Sequence, residues 1–304
     1  MAHRARFGSL PPILSGIASL LVQGSVRLEP GEYASSIAPF DLHFERFDMA
    51  ERFFALRGLF EWRIAAVAAA VLGPGDVVFE GGAQLGTETF NYGCRVGKSG
   101  RVVSFEADPA LAARLDREVD RLGMLQCTVW DKALGEHPGV AQFELAASPS
   151  SNSGLGSLAP DDTSAEGRVT VQVGTIDEAY DAHGAPRLVV LDIQGGELAA
   201  LRGGRRTLAE ARPVLVVEVE SDSLRRLGGS AEDLLALLRD AGYDCLRFTR
   251  FGLRSVDAPR SDELGDWLVL PHEQTTQLLP RLRRMLLVGA IAPPRSRLSP
   301  LSLR

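Results

Sequence analysis

Five carboxylates, Glu80, Glu106, Asp131, Asp192 and Glu218, stand at or just past the ends of short apolar runs, where a strand gives way to a turn. Glu80 opens the segment Glu80-Gly81-Gly82-Ala83-Gln84-Leu85-Gly86, a glycine-rich turn after Val77-Val78-Phe79. Residues without side chains let the main chain approach a bulky ligand, and the helix expected to start near Leu85 offers unpaired N–H groups. Glu106 ends the next apolar run, twenty residues after Gly86. A carboxylate there can accept both hydroxyls of a ribose, so the pair of motifs points to an adenosine-bearing cofactor without saying which one. Asp192 and Glu197 flank the turn Ile193-Gln194-Gly195-Gly196 and are the candidates for general base.

These residues need a scaffold that brings strand ends together. Apolar runs at Val77, Arg101, Leu125, Leu188 and Val214 alternate with helical periodicities, which predicts an α/β fold: a doubly wound, mostly parallel, Rossmann-like sheet. Tyr243 to Phe248 and Trp267 to Leu270 supply antiparallel edge strands. Ligands of such sheets bind outside the carboxyl ends of the strands, so the five acids should share one rim. Phe53, Leu56, Phe60, Ile64, Val67 and Val71 predict one helix over 50–71, and a second expected helix runs from Gly196 past Gly203-Gly204 toward Leu208. Asp108-Pro109 reads as an N-cap and first helical position. Three regions follow: a punctuated extension over 1–50, the main domain over 51–270, and a C-terminal helix with a basic tail over 271–304. The polar stretch 148–167 is long enough for a binding loop.

With 304 residues and 45% hydrophobic content the chain can bury a full core. A net charge of -6 argues against nucleic-acid partners. Three widely spaced cysteines make neither a disulfide framework nor a zinc site, so no metal and a reducing, cytoplasmic setting are expected. The apolar stretch 10–22 is too short to span a bilayer, so no stable membrane insertion is expected.

The acid-x-Gly-x-x-x-Gly pattern of Glu80, Gly82 and Gly86 resembles the first motif of class I methyltransferases, which bind S-adenosylmethionine (SAM). The segment Leu188-Val189-Val190-Leu191-Asp192-Ile193-Gln194-Gly195-Gly196-Glu197-Leu198, then Leu201-Arg202-Gly203-Gly204, then Arg212 to Glu218, is similar to the FkbM family of SAM-dependent methyltransferases. Two departures stand out. The family's Asp-x-Gly-Ala-Asn-x-Gly carries Glu80 and Gln84 here, each longer by one methylene, and the family's Lys-Ile before the fourth-strand acid is Val190-Leu191.

The resemblance implies SAM as cofactor and a small-molecule hydroxyl as methyl acceptor. It places the methionine moiety over Gly82, Ala83, Gln84 and Gly86, the ribose on Glu106, and the adenine edge at Trp130-Asp131. Asp192 would face the cofactor's amino group or the acceptor. The residues alone leave two other readings open: an NAD(P)-dependent oxidoreductase, from Gly81-x-Ala83-x-x-Gly86, and a SAM-binding protein without turnover, from the missing lysine. His137 and His183 could shuttle protons, and Trp130 could stack on adenine or serve as core.

Overall fold

The computed structural model describes residues 27–45, 47–146, 156–159, 167–249, 252–294, 296 and 299–303, with 3–4, 10–12 and 14. Most of the apolar stretch 10–22, most of the loop 148–167 and the tail arginines Arg295, Arg297 and Arg304 lie outside the described residues. Strands β1 (His3–Arg4), β2 (Gly31–Ala34) and β3 (Asp41–Phe44) form a small sheet. The central sheet holds β4 (Val77–Gly81), β5 (Arg101–Phe105), β6 (Cys127–Trp130), β11 (Leu188–Leu191), β12 (Val214–Glu220), β13 (Tyr243–Thr249), β14 (Gly252–Ser255) and β15 (Leu264–Pro271). Between β6 and β11 in the chain, β7 (Ala133–Leu134), β8 (Gly139–Glu144), β9 (Ser157–Leu158) and β10 (Arg168–Gly174) make a third sheet.

The central order is β14-β13-β15-β12-β11-β4-β5-β6. Neighbours from β12 to β6 run parallel, while β15 is antiparallel to both β12 and β13. This is the doubly wound, mostly parallel α/β sheet expected from the sequence, with its antiparallel edge. The chain reverses its winding between β4 and β11, and such a reversal leaves a crevice at the strand ends.

Both faces are covered. One packs Trp62–Val71, Thr87–Val96, Pro109–Leu122 and the C-terminal helix His272–Ile291 against Val78, Val102, Val190 and Val216. The other packs Ile176–His183, Glu197–Arg202, Arg205–Glu210 and Ala231–Asp240 against Phe79, Val103, Leu191 and Val217. Burial on both sides is why these strands read as unbroken apolar runs rather than alternating ones.

Local chemistry sets the boundaries. Asp108 caps Pro109–Leu122 by accepting from the N–H groups of Ala110 and Leu111, and Gly123 ends that helix in the left-handed conformation. Thr175 and Glu178 form a reciprocal capping box at the next helix start.

Two helices expected to be continuous are each broken. The span 50–71 divides into Met49–Arg57 and Trp62–Val71, because Gly58 turns left-handed at φ 72° with no room for a side chain: a Cβ would stand 2.7 Å from the Ser36 nitrogen. Gly203-Gly204 separates Glu197–Arg202 from Arg205–Glu210, and the chain packs so closely there that a Cβ on Gly203 would lie 2.2 Å from the Gly135 carbonyl oxygen. From the N-terminal extension, Tyr33, Phe40 and Phe44 join the main core, and Phe40 packs 5.7 Å from Phe90. Arg121 pairs with Asp41, and Arg114 donates to the His43 carbonyl at 3.1 Å, which ties the extension to the main domain.

Candidate functional site

A cavity of about 310 Å³ opens where the central strands end. Gly82, Gln84, Phe105, Glu106, Ala107 and Asp108 line one wall; Asp192, Ile193, Gln194, Gly196, Glu218 and Glu220 line the opposite one. Lys132, Ala133, Leu134, Phe143, Gly156 and Leu158 come from the segment after β6 and from the third sheet, and Phe60, Glu61 and Leu264 complete the rim.

The glycine turn is held tightly. The Gly82 and Ala83 N–H groups donate to the Phe105 carbonyl at 3.0 and 3.2 Å, and Asp192 N–H donates to the Gly81 carbonyl at 3.1 Å. A Cβ on Gly82, which has φ 83°, would stand 1.9 Å from the Asp192 carbonyl oxygen. Only glycine lets the ends of β4 and β11 meet there, and that meeting brings the turn and Asp192 to one cavity.

Gln84 also adopts a left-handed backbone, φ 46°, and its N–H donates to the Glu106 carboxylate at 2.7 Å. The other Glu106 oxygen accepts from Asp108 N–H at 2.9 Å. Each oxygen keeps lone pairs for further donors, as a carboxylate awaiting two hydroxyls would. Burial pushes the Glu106 carboxyl up to about 7, against the pull of those two amides.

On the opposite wall Gln194, at φ 52°, extends Nε2 to Asp192 Oδ1 at 3.0 Å and to Glu218 Oε2 at 2.7 Å. One side-chain amide therefore draws the Asp192 and Glu218 carboxyls together on this wall. Burial first, then Asp192, raises Glu218 far above the carboxylate range. Burial and the facing acids Asp266 and Glu88 push Glu61 up to about 8, and burial with Asp192 pushes Asp266 up to about 6.

Several expected residues stand elsewhere. Glu80 does not line the cavity: it is 4% exposed, and its carboxylate accepts from Thr89 Oγ1 at 2.5 Å and Ser104 Oγ at 2.7 Å on the far face of β4. Ala83 and Gly86 are buried beneath the turn, where a Cβ on Gly86 would lie 2.4 Å from Leu115. Trp130 turns to the other sheet face, edge-on to Phe105 at 5.0 Å, with Lys132 Nζ 4.8 Å above its ring. Asp131 is exposed outside the cavity, so neither residue of the expected adenine edge, Trp130-Asp131, lines it; the chain meets the cavity wall at Lys132-Ala133-Leu134 instead.

Glu197 likewise departs from the general base expected. It is 1% exposed and spends its carboxylate on the N–H groups of Ile193 (3.0 Å) and Gly195 (3.0 Å), clasping the Asp192–Gly196 turn. His183 packs 5.5 Å from Trp130, and neither histidine reaches the cavity.

The sequence reading missed Phe60, Glu61 and Gln194 as site residues. Phe60 and Glu61 enter because Gly58 breaks the helix, a signal that apolar periodicity overran. Gln194 was visible inside the Asp192–Glu197 turn, and only its left-handed backbone shows which way it reaches. Among the described residues there is no group of three or more His, Cys, Asp or Glu able to hold a metal ion, and no helix long and apolar enough to cross a membrane.

Residues 80–245 match the model of the methyltransferase FkbM domain, more than half of the chain. The chain belongs to the FkbM methyltransferase family. SAM is the cofactor of that family, and the NAD(P) alternative falls with the assignment. No curated protein matches the chain.

Similar solved structures include the methyltransferase FkbM from Methylobacillus flagellatus, at 20% identity and TM-score 0.42, with 74% of this chain and 66% of that chain covered. A SAM-dependent O-methyltransferase from Thermotoga maritima is 12% identical at TM-score 0.39, covering 69% and 64%. A rRNA methylase described as putative, from Clostridium thermocellum, is 12% identical at 0.39, covering 68% and 91%. The chain therefore spans just under two thirds of the length of the first two.

The FkbM motif lysine absent at Val190 can now be placed. Val190 is the register partner of Glu80 across β4 and β11, on the core face away from the cavity. A lysine there would neighbour the Glu80 carboxylate rather than a methyl acceptor.

Proposed function

We propose that this protein transfers the methyl group of SAM to a hydroxyl oxygen of a small molecule. The observation that carries the reading is that Glu106 and Asp192, from two different strand ends, face one cavity across the bare main chain of Gly82. Glu106 would take the ribose hydroxyls, the Gly82–Gln84 main chain the methionine arm, and Ala107 with Lys132 to Leu134 the base. SAM supplies an activated methyl on a sulfonium leaving group when bound, so the protein has only to align an oxygen and manage a proton.

Asp192 is the proton acceptor in this reading, because it lines the cavity while Glu197 is committed to backbone amides. Phe60, Phe143 and Leu264 offer the acceptor apolar surface beside carboxylates, a combination that suits a polyol or a secondary metabolite. Six lining carboxylates against one lysine argue against a phosphate backbone as partner.

Calorimetric titration with SAM and with NAD checks the cofactor. Production of S-adenosylhomocysteine (SAH) across a panel of sugars, polyketides and other hydroxyl compounds checks the reaction. Tight SAM binding with no turnover on any hydroxyl would support the binding-only reading, whose sequence support, Val190, lies in the core rather than at the cavity.

A further inference from the structure

The acceptor wall carries more carboxylate than it can ionise at once. Glu218 and Asp266 are direct register partners on adjacent antiparallel strands, so like charges face each other. Asp192 and Glu218 converge on one Gln194 amide, Glu61 closes the rim, and Glu88 and Glu197 lie behind. Among the described residues, Arg57 faces Glu61, Arg63 faces Asp266, Arg226 donates to the Gln194 carbonyl at 3.3 Å, and Lys132 lines the same cavity. The donor that Asp192 and Glu218 share is the neutral amide of Gln194.

We propose that Asp192, Glu218 and Gln194 form one proton-holding unit, in which the carboxyl pair keeps a proton in the empty site, yields it when a cation enters, and takes it back from the acceptor. The proposal rests on SAM being the cofactor. With the site empty the pair carries one negative charge. A sulfonium beside it favours loss of the shared proton to solvent, giving two negative charges and one positive. As the acceptor oxygen bonds to the methyl carbon, the carbon–sulfur bond breaks with its electron pair left on sulfur. The hydroxyl proton then passes to the pair, and the thioether is neutral. The net charge of the wall and its ligand is the same at every stage, so no stage leaves an uncompensated charge in the cavity. Glu218 and Gln194 become functional residues: Glu218 as the pair's proton store and Gln194 as the amide that holds both carboxyls in register.

Two measurements test this without a known acceptor. Infrared spectra of the ligand-free protein at neutral pH, wild type minus E218Q, should contain one protonated-carboxyl stretch that disappears on alkaline titration. Its absence from the difference spectrum would overturn the pair whatever the cofactor is.

Calorimetry in two buffers of unlike ionisation heat, with SAM and then SAH, should show ~1 proton released by SAM and close to none by SAH. In E218Q the SAM release should vanish while SAH affinity changes less than about threefold. In D192N the SAM release should vanish as well, and the retained SAH affinity of E218Q guards against a folding defect as the cause. Equal release by SAM and SAH, or undiminished release in both variants, would sink the proposal. If neither ligand binds, the cofactor reading fails instead, and the infrared difference still decides whether the carboxyls share a proton.

Discussion

Glu106 on one wall of the cavity and Glu218 on the other are both partly or wholly buried acids at strand ends, yet their surroundings differ in kind. Glu106 sits among backbone N–H groups, those of Gln84 and Asp108, supplied by turns within the same β4-to-β5 unit. Glu218 sits among other acids, Asp192 and Asp266, supplied by β11 and β15, with a single side-chain amide between them. Fixed amides favour a charged carboxylate and hold it ready for neutral hydroxyls. Facing acids disfavour charge and leave the wall waiting for a cation or a proton. The first wall is built to bind and the second to respond.

The largest test of that contrast removes the point where the walls join. Gly82→Val should abolish measurable SAM binding, at least about a hundredfold in Kd, because the side chain would collide with the Asp192 carbonyl and demand a left-handed backbone. Circular dichroism checks that the sheet persists. Retained affinity would mean the turn is not the cofactor's seat.

Next in size is Glu106→Ala, expected to weaken SAM by about tenfold to a hundredfold through lost charge-assisted hydrogen bonds. It should also destabilise the free protein by about 1–3 kcal/mol, since the Gln84 and Asp108 amides lose their acceptor. Glu218→Gln should leave the ribose grip intact, so its affinity for SAH should stay near wild type. If both variants weakened SAH alike, the walls would not be separable.

The contrast explains what could be read in advance. Gly82, Glu106 and Asp192 were legible because each is fixed by local spacing: an acid, a glycine turn, a second acid one βα unit later. Phe60 and Glu61 were not, because the apolar period runs unbroken through Gly58 and only the proximity of Ser36 shows why the helix stops. Glu80 and Glu197 looked functional by type and position, and both face inward, one to two hydroxyls and the other to two amides. A strand-end acid has two faces to choose from, and the choice depends on neighbours far along the chain. The fold class was legible for the opposite reason: five apolar runs separated by helical periods point to a doubly wound sheet without reference to any distant neighbour.

A smaller effect belongs to pH. Burial pushes Glu80 up to about 8, and Glu106 and Glu197 to about 7 each. These acids ionise in the unfolded chain near their ordinary values but later in the fold, so between about pH 4.5 and 8 the folded state binds more protons. Their contribution to stability is therefore full below about pH 4.5 and is lost as pH rises through 7 to 8. The thermal midpoint of the ligand-free protein should fall across that window. Saturating SAM should flatten the slope more than SAH does, because only SAM brings a sulfonium to the acid wall. A midpoint that climbs from pH 5 to 8 would show that the buried acids are ionised and paired.

The finest discrimination comes from Gln194, where strain and function pull in opposite directions. Its backbone sits at φ 52°, a conformation that glycine or asparagine tolerates better than glutamine. Gln194→Gly should relieve that strain by about 0.5–1 kcal/mol while removing the amide that bridges Asp192 and Glu218. The thermal midpoint should then stay within a degree or two of wild type, as the two effects offset. The infrared band of the shared proton should nonetheless move, because the pair loses its only common donor among the described residues. Asparagine at 194 separates the terms: it keeps an amide and accepts the left-handed turn, but its reach is one methylene shorter. If asparagine restores the band that glycine shifts, the amide sets the proton's position; if both variants shift it equally, the length of the side chain does.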